Sequence, residues 1–514
     1  MAFNSVSFLL LFLPVVLAGY YFCARFLPNS FRLLFLIVVG LAFYGRAQIS
    51  YIPLLLGSAV FNYALAVGIA RTRGSKRLQS ALVWIGVTAD IGLLLYFKYY
   101  GAIFNSLTDA FRPGGDLLQI VTPLAISFYT FQQVAFLLDV ARERTRPTGV
   151  IRYLALVSFF PQLLSGPISL HQEIDPQLAQ KPPRGRALEN ILIGLVIFAI
   201  GLFKKTVLAD TAALWADPLF DGVATGGSPG FFPAWAGAIT YTLQLYFDFS
   251  GYCDMAIGVA RMFGILLPLN FFSPFRSRSI AELWQRWHMT LGRWVRVYIF
   301  QPMAVPLARF AAARGLGKWG GHSVGVLFPL FVSMLIIGTW HGPNWTYVLF
   351  GAMHGSFMVI NEIYNFKTRK ARRKKPDTQA MLGFYTFLTV FAFILAEVPF
   401  RSADVPTALR IFGGMIGLNG TGFGVGPWLT QDGAINIAVI VIGFLIAYLL
   451  PNTQQIMTRF TPALEWEKWG KIDPARLTFA FRFSWPWLFG VAVTLWLGFV
   501  FISRGTPKFI YFNF

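Results

Sequence analysis

The chain is a succession of long apolar stretches, and that pattern limits its fold more than any other feature. Residues 323–340 run for 18 positions without a formal charge. Comparable stretches occupy 5–22, 31–45, 51–70, 81–104, 117–139, 188–203, 234–263, 344–364, 380–400, 434–451 and 484–503. A helix needs about 20 apolar residues at ~1.5 Å each to cross a bilayer. Backbone polar groups at that depth must be satisfied internally, so bundled helices are expected. Composition agrees: 56% of the 514 residues are hydrophobic and 13% charged. Ordinary globular chains carry about 25% charged residues, so a soluble, disordered or fibrous protein is excluded. We expect an all-α polytopic membrane protein of about 11–13 transmembrane helices. The segments 153–170 and 298–310 contain Pro161, Pro167, Pro302 and Pro306 and are expected to be re-entrant or interfacial.

Orientation is read from the basic loops. The formal charge of +21 would suit a nucleic-acid partner, but the basic residues sit between apolar spans, so none is expected. Arg71, Arg73, Lys76 and Arg77 follow the third span. Arg142, Arg144, Arg146 and Arg152 follow the fifth, and residues 367–375 hold seven cations. All three regions are expected in the cytoplasm, which puts Met1 and the loop 105–116 outside. No Lys or Arg precedes Arg25, so residues 5–22 are read as a retained helix and not a cleaved leader. Cys23 and Cys253 make no disulfide framework and no zinc spacing. The glycine-rich stretch 413–426 matches no phosphate-loop pattern and is expected to be an exterior or interfacial loop. No transporter-like internal repeat is visible.

Chemistry is sought first among the five histidines, because ionisable groups at membrane depth are costly. His341 ends the uncharged run and sits in Gly338-Thr-Trp-His-Gly342. An imidazole there can take a proton from a hydroxyl; a buried histidine bonded to a carbonyl is the bland alternative. His354 lies 13 residues on, among small residues, and is read as a packing or supporting group. His322 falls in the polar-looking loop 320–323. No pair has metal-ligand spacing, so no metal is expected. Residues 280–296 read as one amphipathic helix capped by Ser279 and Glu282. Trp284, Trp287, His288, Leu291 and Val295 would share one face, with Arg286, Arg293 and Arg296 largely elsewhere. Asp248 and Asp254 lie six residues apart on different faces, so they are expected to orient a partner or pair with an arginine.

These residues resemble a known family. Gly338-Thr-Trp340-His341-Gly342 resembles the catalytic-histidine motif of the membrane-bound O-acyltransferases. Trp284-x-x-Trp287-His288-x-Thr290 resembles the family's other signature. Residues 247–258, the stretch from Asn270 to Phe275, Tyr129 with Phe131, residues 160–168, and Trp345 through Gly355 are similar to further family segments. The resemblance covers about residues 115–360, between N-terminal helices 1–114 and C-terminal helices 380–514 of one integral-membrane domain. It departs at Val297, where the family often has Asp, and at Cys253, where Ser is common.

The resemblance implies a ring of tilted helices around a central funnel, in a bacterial inner membrane. It implies no bound cofactor, but an acyl thioester such as acetyl-CoA as donor substrate. A polysaccharide acceptor would lie on the other side, served by a periplasmic esterase-like acetyltransferase partner. His341 would be the base and His288 its assistant. Trp284, Trp287, Trp340, Asp248 and Asn270 are the expected substrate-contacting residues. From their interface position, and not from the resemblance, Arg286, Arg293 and Arg296 would steer an anionic donor. The alternative function is a transporter or flippase with His341 in a proton relay.

Overall fold

A computed structural model describes residues 2–105, 120–183, 185–374, 377–422, 431–473, 477, 479–502 and 509–510, with no side-chain description for 370–374 and 431–433. The expected outer loop 105–116 lies almost wholly outside the described residues, as do 423–426 of the glycine-rich stretch. Among the described residues the structure is helical, and the one β contact is an isolated bridge between Pro268 and Leu464.

Among the described residues, seven helical segments are long and apolar enough to cross a membrane: Phe8–Phe26, Asn29–Arg71, Lys76–Asn105, Ala187–Ala224, Lys318–His341, Gln379–Arg401 and Trp485–Ile502. Ile126–Ala141 and Ala434–Leu449 are shorter apolar helices. Two more long helices, Phe231–Met262 and Trp345–Lys374, are more polar along their length. The chain is therefore a multi-pass membrane protein. Its first helix is built into the bundle: Tyr20 Oη donates to Phe263 O at 2.9 Å, and in the turn before it Phe3 stacks on Tyr252.

Phe231–Met262 runs through the centre and is buried along almost all its length. Gly194 and Gly258 face each other across it and the Ala187–Ala224 segment. A Cβ at either would fall within 2.8 Å of the other helix's backbone, so only glycine permits this approach. The buried acids on this helix pair with lysines, not the expected arginines. Asp254 meets Lys204, and Asp248 meets Lys205, both at 2.6 Å. Lys204 and Lys205 open a π-helical turn, Lys204–Ala209.

The stretch 298–310, expected to be re-entrant or interfacial, is helical throughout. The π-helical turn Arg296–Phe300 runs on into helix Gln301–Ala313, which carries Pro302 near its start and Pro306 inside it. Its Ala308 packs against Gly325. The region 153–170 is broken, with helices Val150–Val157 and Phe160–Leu163 before extended chain. His322 is not in a loop. It ends the short helix Lys318–His322, which continues into the apolar span, with Glu362 Oε1 at 3.5 Å.

Two ends of the bundle are distinct. The turn after Arg71 meets the loop after Ala141 through Arg73 and Glu143 at 3.6 Å. Asn29 and Lys181 tie the first helix turn to the end of helix His171–Ala179. Glu173 of that helix pairs with Arg293 at 2.5 Å. At the other end, Gln48 bonds Thr122, Tyr99 bonds Thr339, and Asn344 bonds Ala403.

Candidate active site

The signature segment is bent, and the bend makes the site. Ser279 Oγ accepts from Glu282 N at 3.1 Å and starts helix Ile280–Arg286. Glu282 returns its carboxylate to Arg278 N at 2.8 Å, one residue earlier than a closed capping box requires. The helix then breaks: Trp287 is extended and His288 has φ 42°, a left-handed conformation costly for a residue with a Cβ. Helix resumes at Met289–Val295. The expected single helix over 280–296 is thus two. The extended chain at 270–272 takes hydrogen bonds a continuous helix would keep. Met289 N donates to Asn270 O at 2.9 Å, and Phe272 N donates to Arg286 O at 3.0 Å.

Four of the five expected face residues still converge. Trp284, Trp287, His288 and Leu291 line one small cavity with His341, and Leu245, Phe350, Glu397 and Phe400 close it. Val295 instead faces a neighbouring cleft. His288 Nδ1 lies 3.1 Å from Asn270 Oδ1, with Phe249 edge-on to the ring.

His341 ends its helix at a sharp exit and is almost fully buried. Its ring meets Phe400 and Phe350 edge-on, at centroid distances of 4.9 Å and 5.9 Å. The glycine at 338 serves backbone approach: a Cβ there would stand 2.3 Å from Tyr347 O. Trp340 turns away from the cavity and stacks on Phe131, which stacks in turn on Trp294. Lys98 donates to Trp340 O, with its Nζ 5.3 Å from the indole centroid. Lys98 and Tyr99 belong to a π-helical turn, Tyr96–Tyr100, an irregularity common at functional sites.

A cleft of about 430 Å³ opens beside the cavity. Arg293, Arg296, Lys468 and Gln285 line it with Met334, Met358 and other apolar groups, and Trp284 belongs to both spaces. The three expected steering arginines therefore separate. Arg296 is exposed at the cleft, while Arg293 reaches it but is clamped by Glu173. Arg286 is buried, paired with Glu282 and Asp473 at 2.7 Å each, and lines neither space. Asn270 stands behind His288. Asp248 lines neither space and lies between Lys205 and the amide of Ile510.

Three site residues escaped the sequence reading: Glu397, Lys98 and Lys468. Glu397 had a visible signal, since it is the lone acid within the apolar run 380–400. Lys98 had the same signal, whereas Lys468 sits in an ordinary polar stretch. Among the described residues no three His, Cys, Asp or Glu side chains form a group that could hold a metal ion.

A buried histidine pair thus lies beside a basic cleft inside a helical membrane bundle. The chain belongs to the membrane-bound O-acyltransferase family, which it matches over residues 115–398. It is 37% identical over 447 residues to a peptidoglycan O-acetyltransferase of Helicobacter pylori, covering 81% of this chain and 80% of that one. It is 34% identical over 459 residues to a probable alginate O-acetylase AlgI of Pseudomonas aeruginosa, covering 88% and 80%. A teichoic acid D-alanyltransferase of Streptococcus thermophilus is 29% identical over 279 residues, covering 52% and 66%. The chain is thus a membrane O-acyltransferase.

Proposed function

We propose that the protein moves an acetyl group from a cytoplasmic thioester toward hydroxyls of an extracytoplasmic cell-envelope glycan, with His341 as general base. One observation carries this reading: His341 and His288 share a buried cavity whose wall, Trp284, is also the wall of a cleft with cations at its rim. The donor lies in the cleft, with Arg296, Lys468 and Arg293 favouring its phosphates. His341 takes the proton of the attacking hydroxyl. The oxygen bonds to the acyl carbon, the C–S bond breaks, and the thiolate leaves and is protonated to the thiol. His288 orients the reacting groups. The names of the relatives support a glycan-type acceptor, peptidoglycan or an exopolysaccharide. A periplasmic esterase-like partner completes delivery to the polymer. The location is the bacterial inner membrane, with the N-terminus on the periplasmic side. The family membership does not favour the transporter alternative.

The test uses the full chain in membrane vesicles with labelled acetyl-CoA, following thiol release and label on the acceptor. His341→Ala should slow transfer by roughly 10²–10⁴-fold at normal protein levels. His288→Ala should be less severe. Wild-type transfer by a well-expressed His341→Ala would remove the base assignment. Arg296→Glu tests donor steering without disturbing an ion pair, and should raise the donor KM more than it lowers kcat. An unchanged KM would sink that role.

A further inference from the structure

Trp284 is the wall between two unequal spaces. The cleft on one side measures about 430 Å³. The cavity of His288 and His341 on the other has room for about one water molecule. The indole is held from behind. Its Nε1–H donates to His354 Nδ1 at 3.3 Å, and the two rings meet edge-on at 5.0 Å. An indole nitrogen only donates, so His354 Nδ1 accepts and the proton of the neutral imidazole sits on Nε2. That nitrogen faces Glu397 Oε1 at 3.7 Å. Both residues are buried, His354 completely. A lone acid on Gln379–Arg401 and a histidine on Trp345–Lys374 thus back a tryptophan on Ile280–Arg286. Base catalysis by His341 makes no use of His354.

We propose that this arrangement sets acyl-chain length: Trp284 is the partition, and His354 and Glu397 are its positioning residues. The inference rests on the acyltransferase reading above. A short acyl group passes the indole with a small ring rotation. A longer one must displace Trp284 against a backing that is already close-packed, since Phe350 and Phe393 also flank His354. The donor class that fits is an acetyl thioester.

The experiment presents the full chain in vesicles with acetyl-, propionyl-, butyryl- and hexanoyl-CoA and reads relative thiol release. The wild type should lose at least about tenfold at the first added methylene, within the range that a tight apolar pocket gives. Trp284→Phe, a smaller ring with no N–H, should raise the butyryl-to-acetyl ratio about tenfold or more. Glu397→Leu should shift it in the same direction. Glu397→Gln keeps the side chain's size and an oxygen facing His354 Nε2, and its ratio should stay within about twofold of wild type. The same ladder is read as thermal stabilisation of the detergent-purified chain, so length selectivity is measured without turnover. Equal stabilisation by all four donors would overturn the proposal. So would a wild-type ratio in both Trp284→Phe and Glu397→Leu. A Glu397→Gln ratio shifted as far as Glu397→Leu would remove the positioning role of Glu397. Selective stabilisation by acetyl-CoA with no transfer from any donor would support the partition while refuting the proposed reaction.

Discussion

One amide decides which nitrogen His288 turns to its cavity. Asn270 Oδ1 accepts from Thr290 N at 3.2 Å and Thr290 Oγ1 at 2.9 Å, and that hydroxyl itself accepts from Ile168 N. An oxygen taking those bonds can only accept from His288, so His288 Nδ1 carries the proton and Nε2 is the acceptor. Asn270→Leu leaves these buried groups without their partner. It should cost about 1–3 kcal/mol in unfolding of the detergent-solubilised protein and lower turnover with it. Asn270→Asp keeps an accepting oxygen and should retain more turnover than the leucine variant. Equal losses would mean that Asn270 acts by packing alone. The identities of His288, His341 and Asn270 were legible in the sequence because they lie in short, recognisable segments. Glu397 was legible in principle, since an acid in an apolar span is costly wherever it falls. Its pairing with His354 was not, because that contact depends on how two helices are rotated about their axes. Arg286 shows the opposite error: a cation in a rich motif is here consumed by Glu282 and Asp473.

At the scale of elements, the site depends on how closely two helices pack. Lys318–His341 and Trp345–Lys374 cross with Gly338 against Gly351. A Cβ at Gly351 would lie 2.8 Å from Met334 O, and one at Gly338 would meet Tyr347 O still more closely. Backbone cannot step aside as a side chain can, so Gly338→Ala or Gly351→Ala must part the helices that carry His341 and His354. Each should cost about 1–3 kcal/mol in thermal unfolding and reduce transfer. Gly383→Ala is the control, since no atom lies within 4 Å of a Cβ there. Stability equal to the control would show that the crossing tolerates separation. The helix start at Ser279 was readable from its cap, and Ser279→Ala should cost about 1 kcal/mol. The break at Trp287 and His288 was not readable. Apolar periodicity runs straight through it, and the competing hydrogen bonds come from residues 270–272, more than a dozen positions upstream. The π-helical turns escaped for a similar reason: one extra residue per turn leaves no mark on a pattern with a period near four.

For the whole molecule, the reading requires a sided path, and the bundle has two chemically different ends. Arg73, Glu143, Lys181 and the Glu173–Arg293 pair gather at one. The cleft with Arg293 and Arg296 belongs to that end, while Thr339 and Trp340, bonded by Tyr99 and Lys98, belong to the other. A donor entering at the basic end meets Trp284 before it meets His341. In the proposed orientation, which the distribution of cations favours, the basic end faces the cytoplasm. Single cysteines at Gly74, exposed in the turn after Arg71, and at Leu418, 75% exposed near the opposite end, test this directly. The native Cys23 and Cys253 are buried and serve as a silent background to an impermeant maleimide. Leu418→Cys should label in intact cells, and Gly74→Cys only after the membrane is permeabilised. Labelling of Gly74→Cys in intact cells would turn the basic cleft outward, away from any cytoplasmic thioester. The donor would then have to approach from the His341 side, and the proposed route past Trp284 would fail even with every residue of the cavity in place.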